Sequence, residues 1–328
     1  MDTSACMVSV VCTAYNHAAY LRDALEGFVG QKTDFPFEIL VNDDASTDDT
    51  AAILREYAAR YPALIRPFYQ EKNLYSQGIS IYDAVLYPAA RGRYIALCEG
   101  DDYWTDPEKL QRQVDFLEAH PDYSACVHNT VTHMTDGSAP DQVLFPQEGD
   151  RDIPFETVIR GMSFAFHTSS ILARREFLLD PPAFRAVAFR HGFTDYAVGV
   201  WLTLQGKVRF LDRCMSVYRI GSNPSAWSSK VEGQYDKFKQ FVVGKREMLR
   251  AVKPYVTDEQ AALVDRVILE REYELLYLTG RVDEMMKPPY DVLFRQQSAF
   301  HRVVTRMKAA FPALHRLYRR HKGYGDLG

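Results

Sequence analysis

No stretch of this 328-residue chain approaches the roughly 20 consecutive apolar residues that a membrane-spanning helix requires. Its N-terminus carries no basic segment leading into an apolar one, so no secretory signal is expected. Cysteine is scarce. The five residues, Cys6, Cys12, Cys98, Cys126 and Cys214, include no C-x-x-C pair, which reads as reduced thiols in a cytoplasmic protein and not as a disulfide framework. The glycines near Gly78 form neither G-x-G-x-x-G nor G-x-x-x-x-G-K-S/T, so a dinucleotide-dependent dehydrogenase and a P-loop enzyme are both unsupported. His120, His128, His133 and His167 have no metal-ligand spacing and read as core or surface residues. A net charge of −4 argues against a nucleic-acid partner.

What is present is the composition of a soluble globular protein, long enough for one large domain or one domain with a helical appendage. Charge is unevenly spread. Between Val292 and Gly325 stand Arg295, Arg302, Arg306, Lys308, Arg316, Arg319, Arg320 and Lys322 without a single acid, which leaves −12 on the rest. Such a split marks a segment with a partner of its own.

The first hundred residues alternate strand and helix signals. Val8–Thr13, Phe37–Val41, Ile65–Tyr69 and Tyr94–Cys98 are short apolar or β-branched runs. Helical stretches near Tyr20–Val29, Asp48–Tyr61 and Ile79–Ala90 separate them. This pattern predicts an α/β fold with βαβ units and a mixed, mostly parallel sheet carrying helices on both faces. Ligands of such sheets bind beyond the carboxyl ends of the strands, where the polar clusters after strands one, two and four fall. Asp106 is expected to cap a helix that has Pro107 at its first position. Further strands are expected over Ser124–Thr132, Phe164–Ala173 and Val208–Ile220, with a helix beginning near Asp195. Beyond about Ser225 only helical stripes remain, one opened by the capping box Thr257-Asp258-Glu259-Gln260. The expected division is residues 1–228 as an α/β domain and 229–328 as a helical C-terminal region.

Glu99-Gly100-Asp101-Asp102 ends the fourth strand with three carboxylates in four residues. Buried unpaired carboxylates are costly, so these must meet water, a helix end or a cation. In an extended chain Glu99 and Asp101 point to one side and can grip a hard divalent ion through oxygen. Asp43 and Asp44 end the second strand. Thr47 and Asp48 are explained by helix capping, whereas a carboxylate upstream on the rim can accept the N–H of a nucleotide base.

Val8–Asn16 (VSVVCTAYN), Val41–Asp48 (VNDDASTD), Tyr94–Trp104 (YIALCEGDDYW) and Thr194–Leu204 (TDYAVGVWLTL) follow one another as in the family 2 glycosyltransferases of GT-A fold, which the chain resembles over about residues 7 to 220. It also resembles bacterial members that build cell-surface polysaccharides. The resemblance implies a nucleotide-sugar donor, a UDP-sugar first among them, and a saccharide or lipid-linked acceptor. Thr13, Tyr15, Asn16 and Asn73 then line the nucleotide pocket, and Asp43 accepts from the base. Glu99 and Asp101 match the D-x-D motif, Asp101 holding Mn²⁺ or Mg²⁺ and Glu99 meeting metal or ribose. Asp195 takes the place of the catalytic base. Two departures stand out. Gly221 follows Tyr218-Arg219-Ile220 where relatives carry His, and Thr194 precedes Asp195 where they carry Glu.

One base on the face opposite the leaving group implies a single displacement with inversion. The rival enzyme, a sugar-phosphate nucleotidyltransferase, needs a Gly- and Arg/Lys-rich loop where this chain has Ala14-Tyr15-Asn16-His17-Ala18. A non-catalytic nucleotide-sugar-binding scaffold subunit is the other alternative. Trp104 reads as core, or as a platform for a sugar. In the tail, Phe300, Val303, Val304, Met307, Phe311, Leu314, Leu317 and Tyr318 form one helical stripe, interrupted at Pro312 and flanked by cations. It either docks on the catalytic domain or lies on an anionic membrane, making the protein peripheral at the inner face of the plasma membrane.

Overall fold

A computed structural model describes residues 6–146, 149–161, 165–180, 182–222 and 235–311. Chain contacts divide it into two compact units, Met1–Pro182 with Phe193–Ala226, and Ala183–Gly192 with Trp227–Gly328.

The first unit is built on strands β1 (Val8–Ala14), β2 (Phe37–Asp43), β3 (Ile65–Tyr69), β4 (Tyr94–Leu97), β5 (Tyr103–Trp104), β6 (Tyr123–Met134), β7 (Gln142–Val143), β8 (Arg151–Asp152), β9 (Leu172–Arg174) and β10 (Lys207–Ile220). They form one sheet in the order β3-β2-β1-β4-β9-β6-β10-β5, with β7 on β6 and β8 on β10. β1, β2, β3 and β4 run parallel, as do β6 and β10, while β9 is antiparallel to β4 and β6. The sheet is mixed and mostly parallel, as the alternation of strand and helix signals implies. β1, β2 and β4 are buried almost throughout, hence their richness in Val, Ile and Leu.

Helix α1 (Leu21–Val29) buries Leu21, Ala24, Leu25 and Phe28, one stripe at helical spacing. Each Leu or Phe so covered contributes about 1.5–3 kcal/mol. Helix α2 (Thr50–Arg60) buries Ile53, Leu54 and Tyr57, and the helix Lys109–Ala119 buries Leu110, Val114 and Leu117. All three stripes belong to one apolar core with β1, β2 and β4.

Several elements differ from expectation, each for a local reason. The helix after Pro107 starts only at Lys109; Asp106 instead accepts the Glu108 N–H at 2.9 Å and binds Arg213 at 2.6 Å. Thr47 does not cap α2. Asp48 accepts the Thr50 N–H at 3.0 Å and reaches across to the Ala18 N–H at 3.0 Å, tying the turn after β1 to the start of α2. The region near Ile79–Ala90 is a π-helical turn (Tyr82–Leu86) running into Tyr87–Ala89. Strand β9 begins only at Leu172, because Thr168–Ser170 forms a 3₁₀ turn; residues 162–164 lie outside the described residues.

The second unit is helical: Ala183–His191, Tyr235–Val252, Asp258–Leu278, Asp291–Gln296 and Ala299–Ala310. The capping box forms as expected, with Thr257 accepting from the Gln260 N–H and the Gln260 side chain from the Thr257 N–H. Of the tail stripe, Phe300, Val303, Met307 and Phe311 are exposed, from 51% to 73%. Lys308 turns to the Tyr277 hydroxyl at 2.8 Å. The continuation of that stripe through Pro312 to Tyr318 lies outside the described residues. No helix among the described residues is long and apolar enough to cross a membrane, and the five cysteines are free.

Candidate active site

The carboxyl ends of β1, β2, β3 and β4 make one rim. Backbone bonds stitch it together: Asp44 N–H donates to Ala14 O at 2.9 Å, Gly100 N–H to Thr13 O at 2.9 Å, and Gln70 N–H to Asp43 O at 3.0 Å. Asn16 and Ala45, the two described non-glycine residues at positive φ (56° and 59°), both sit on this rim. Backbone held in that region costs energy and concentrates where a site must be shaped. Asn16 earns its conformation by accepting the Thr47 N–H at 2.8 Å, so its carboxamide oxygen builds the turn.

Asp43 and Asp44 behave differently although adjacent. Asp43 stands opposite Ala14 on one side and Tyr69 on the other, with one carboxylate oxygen 3.4 Å from the Ser46 amide. Asp44 is buried, and its two oxygens accept the N–H groups of Leu74 (2.7 Å) and Tyr75 (3.1 Å). Asn73 is likewise engaged within the chain, donating to Asp44 O at 3.1 Å and accepting the Ser76 N–H at 2.7 Å.

The acidic segment after β4 is not extended. Asp102 N–H donates to Glu99 O at 3.1 Å, so the four residues turn, and the alternation expected to bring Glu99 and Asp101 to one side is absent. The turn gathers more than alternation would have. Ligand oxygens of Glu99, Asp101 and Asp102 all lie within 4.8 Å of one another. Gly100 permits it: a Cβ there would stand 3.1 Å from Ala14 Cβ and His17 Nδ1 and 3.2 Å from Leu21 Cδ1.

Each carboxylate has its own setting. Asp101 accepts the Ser222 hydroxyl at 2.8 Å and lies 3.8 Å from His17 Nε2. Asp102 is 1% exposed, accepts the Arg219 N–H at 2.9 Å and faces His167 Nε2 at 3.7 Å. Burial and then the charges of Asp101 and Glu99 push its carboxyl well above the usual range, while burial pushes His167 down to about 4. Glu99 has no hydrogen-bond partner for its carboxylate among the described residues. Burial, then Asp101, then Asp195 push it up to about 8. Asp195 opens the helix Thr194–Gln205, and its carboxyl is raised by burial. The two ends of the site are therefore close enough for their charges to interact. Tyr75 and Tyr82 stand in the same field: both phenols are raised, first by burial and then by Glu99, with Asp195 adding to Tyr75.

This donor set fits a hard divalent cation. It is all oxygen and crowded with like charge, and a cation would offset the burial and the neighbouring charges of Asp101 and Asp195 that raise the Glu99 carboxyl. Trp104 is not a sugar platform. It is buried, its ring lies 4.7 Å edge-on to Phe28, and its indole N–H donates to Ser169 O at 2.9 Å.

Three partners of this cluster carry no motif of their own. Ser222 lies in a turn after β10, and His17 in the loop after β1, where its position carries no metal-ligand spacing. Arg219 stands two residues before Gly221; its guanidinium donates to Asp101 O at 2.9 Å, pairs with Asp23 and lies 4.4 Å from the centre of the Tyr103 ring.

Residues 9–175 match the sequence model of glycosyl transferase family 2, and the chain belongs to that family. An uncharacterised protein of Mycobacterium tuberculosis is 39% identical over 212 residues, 65% of this chain, which spans 58% of that relative's length. Among solved structures, S. aureus TarS 1–349 in complex with UDP superposes with a TM-score of 0.57 at 19% identity, covering 88% of this chain and 78% of its own. The mannosyltransferase PcManGT from Pyrobaculum calidifontis, in complex with GDP-Man and Mn²⁺, gives 0.53 at 16% identity over 98% and 86%. The fold is that of GT-A glycosyltransferases, with a helical C-terminal region.

Proposed function

We propose that this chain is a metal-dependent, inverting glycosyltransferase that moves a sugar from a UDP-sugar onto an acceptor hydroxyl in the assembly of bacterial cell-surface polysaccharide or glycoconjugate. Residues 1–228 would carry the reaction and 229–328 would form a separate helical region. The observation that carries the reading is the cluster of Glu99, Asp101 and Asp102 oxygens within 4.8 Å, in electrostatic contact with Asp195.

In this reading Thr13, Tyr15, Asn16 and Asn73 shape the nucleotide pocket, and Asp43 accepts an N–H of the base. Glu99 and Asp101 would hold Mn²⁺ or Mg²⁺, which would supply Lewis-acid stabilisation of several kcal/mol to the departing diphosphate. Asp102 keeps Asp101 in place by locking the turn to Arg219. Asp195 takes the proton of the acceptor hydroxyl as its oxygen attacks, and its raised basicity suits it to do so. The neighbouring structures bound to UDP and to GDP-Man with Mn²⁺ support this chemistry for a protein of this fold.

Screening UDP- and GDP-sugars for Mn²⁺-dependent thermal stabilisation tests the reading. A rise in melting temperature with a UDP-sugar that disappears in chelator is expected; no shift with any nucleotide would overturn it.

The tail supports a peripheral location at an anionic membrane, where lipid-linked acceptors reside. Phe300, Val303, Met307 and Phe311 are exposed on a segment that carries only positive charge. Sedimentation with vesicles containing about 30% anionic lipid should carry the full chain down at low salt and release it at high salt. Failure to bind at low salt would return the helix to a purely structural role.

A further inference from the structure

The two oxygens of Asp101 are not equivalent. Oδ2 accepts the Ser222 hydroxyl at 2.8 Å, and His17 Nε2 approaches the same atom at 3.8 Å. Among the described residues Oδ1 accepts no hydrogen bond. His17 is 8% exposed, and its Nδ1 is buried without a hydrogen-bond partner. In the neutral ring a proton on Nδ1 would have no acceptor, whereas a proton on Nε2 faces a carboxylate oxygen. Both neighbours therefore present a donor to Oδ2.

Ser222 comes to Asp101 from 121 residues away, and the backbone is shaped to bring it there. At the ends of β6 and β10 the Thr135 N–H and hydroxyl both donate to Ile220 O, at 3.0 and 3.1 Å. Gly221 then turns the chain at φ 86°, and a Cβ on it would stand 2.9 Å from Thr135 Oγ1. A side chain at position 221 would be strained in that conformation, so the polar group arrives on the next residue. The Ser222 hydroxyl also lies 3.3 Å from Arg219 O, but it has one proton to give, and the shorter approach is to the charged oxygen.

A carboxylate with both oxygens free can clasp a large cation through the pair, whereas one whose second oxygen is engaged offers only the first. Ca²⁺ readily takes both oxygens of a carboxylate; Mg²⁺ and Mn²⁺ suit near-octahedral sites built from single oxygens. We propose that Ser222 is a positioning residue that ties down Asp101 Oδ2, so that Asp101 meets its cation through Oδ1 alone and the acidic turn discriminates against Ca²⁺. The inference rests on the reading of that turn as a cation site and deepens it, since it names what sets the choice of ion.

Calorimetric titration of the full chain with MnCl₂ and, separately, with CaCl₂ tests it in wild type, Ser222→Ala and Ser222→Thr. Ser222→Ala should weaken Mn²⁺ binding about tenfold, as loss of a hydrogen bond to a metal ligand does, while Ca²⁺ affinity stays within about twofold or rises. Ser222→Thr keeps the hydroxyl and should restore the wild-type ratio of the two affinities. An equal loss for both ions would mark a turn that has only loosened, and an unaltered Mn²⁺ affinity would show that Asp101 is oriented without Ser222; either result overturns the role. If the wild type binds neither ion, the cation reading of the acidic turn fails and this inference falls with it, an outcome distinct from a variant that binds like the wild type. The melting temperature of each variant in chelator serves as the folding control.

Discussion

Arg219 N–H donates to Asp102 Oδ1 at 2.9 Å although 117 residues separate them in the chain. The bond joins the end of β10 to the turn after β4, and the Arg219 guanidinium repeats the connection through Asp101 O. The acidic turn is thus held from outside the βαβ units that generate it.

Arg219→Met keeps the backbone bond and most of the apolar stem but removes the guanidinium. It should cost about 1–3 kcal/mol of stability, the range for losing hydrogen bonds to a charged, buried donor. Metal affinity should fall with it, because Asp101 loses its backbone support. Denaturant unfolding and Mn²⁺ titration check both effects; a variant as stable as the wild type with unaltered Mn²⁺ affinity would show that the turn stands without the clamp.

The second prediction follows from Glu99. Its carboxyl titrates near 8 in the fold and near its ordinary 4.5 when unfolded. Between those values the folded chain keeps a proton that the unfolded chain has released, so stability must fall as pH rises. The contribution is whole below pH 4.5 and gone above pH 8. Asp102 and Asp195, also raised, act in the same direction. His128 and His167, pushed down by burial, act in the opposite direction up to about pH 6.5, and Lys109 and Lys245, pushed down to about 7 by burial, do so above pH 7. In chelator, the unfolding free energy of the wild type should therefore fall from pH 5 to 7 relative to that of Glu99→Gln, in which the Glu99 contribution is gone. A slope identical in the variant would remove Glu99 from the cause.

Asp195→Asn preserves shape but cannot accept a proton. Loss of a general base predicts a fall in kcat of about 10²–10⁴ with donor affinity nearly unchanged. If kcat held while donor binding suffered, Asp195 would belong to the donor side of the site.

Asp43→Ala should weaken UDP binding by about 1–3 kcal/mol, the loss of a charge-assisted hydrogen bond to the base. Equal UDP affinity in wild type and variant, measured by calorimetry, would refute that role.

β1, β2 and β4 were legible because each is a short, largely apolar run buried on both faces, and the capping box of Thr257 because it is purely local. Asp44 shows the limit. In the sequence it is the twin of Asp43, and only the folded crossover, returning its amides of Leu74 and Tyr75 to that carboxylate, separates a loop anchor from a rim acid. Asp106 is similar: one oxygen accepts the Glu108 N–H just ahead of the helix, while the other binds Arg213, a partner distant in sequence. Glu99 and Asp101 were legible as acids at a strand end, but their mutual geometry depends on the Asp102–Glu99 turn, on Gly100 and on Ser222. No periodicity encodes such contacts.

The central claim is that the acidic turn holds the metal on which donor chemistry depends. Slow hydrolysis of a UDP-sugar, followed by UDP release with and without Mn²⁺, measures it in wild type and in Asp101→Ala. The account predicts Mn²⁺-dependent release by the wild type, abolished by chelator and absent from a folded Asp101→Ala at every Mn²⁺ concentration. Release by Asp101→Ala at the wild-type rate in chelator would contradict it.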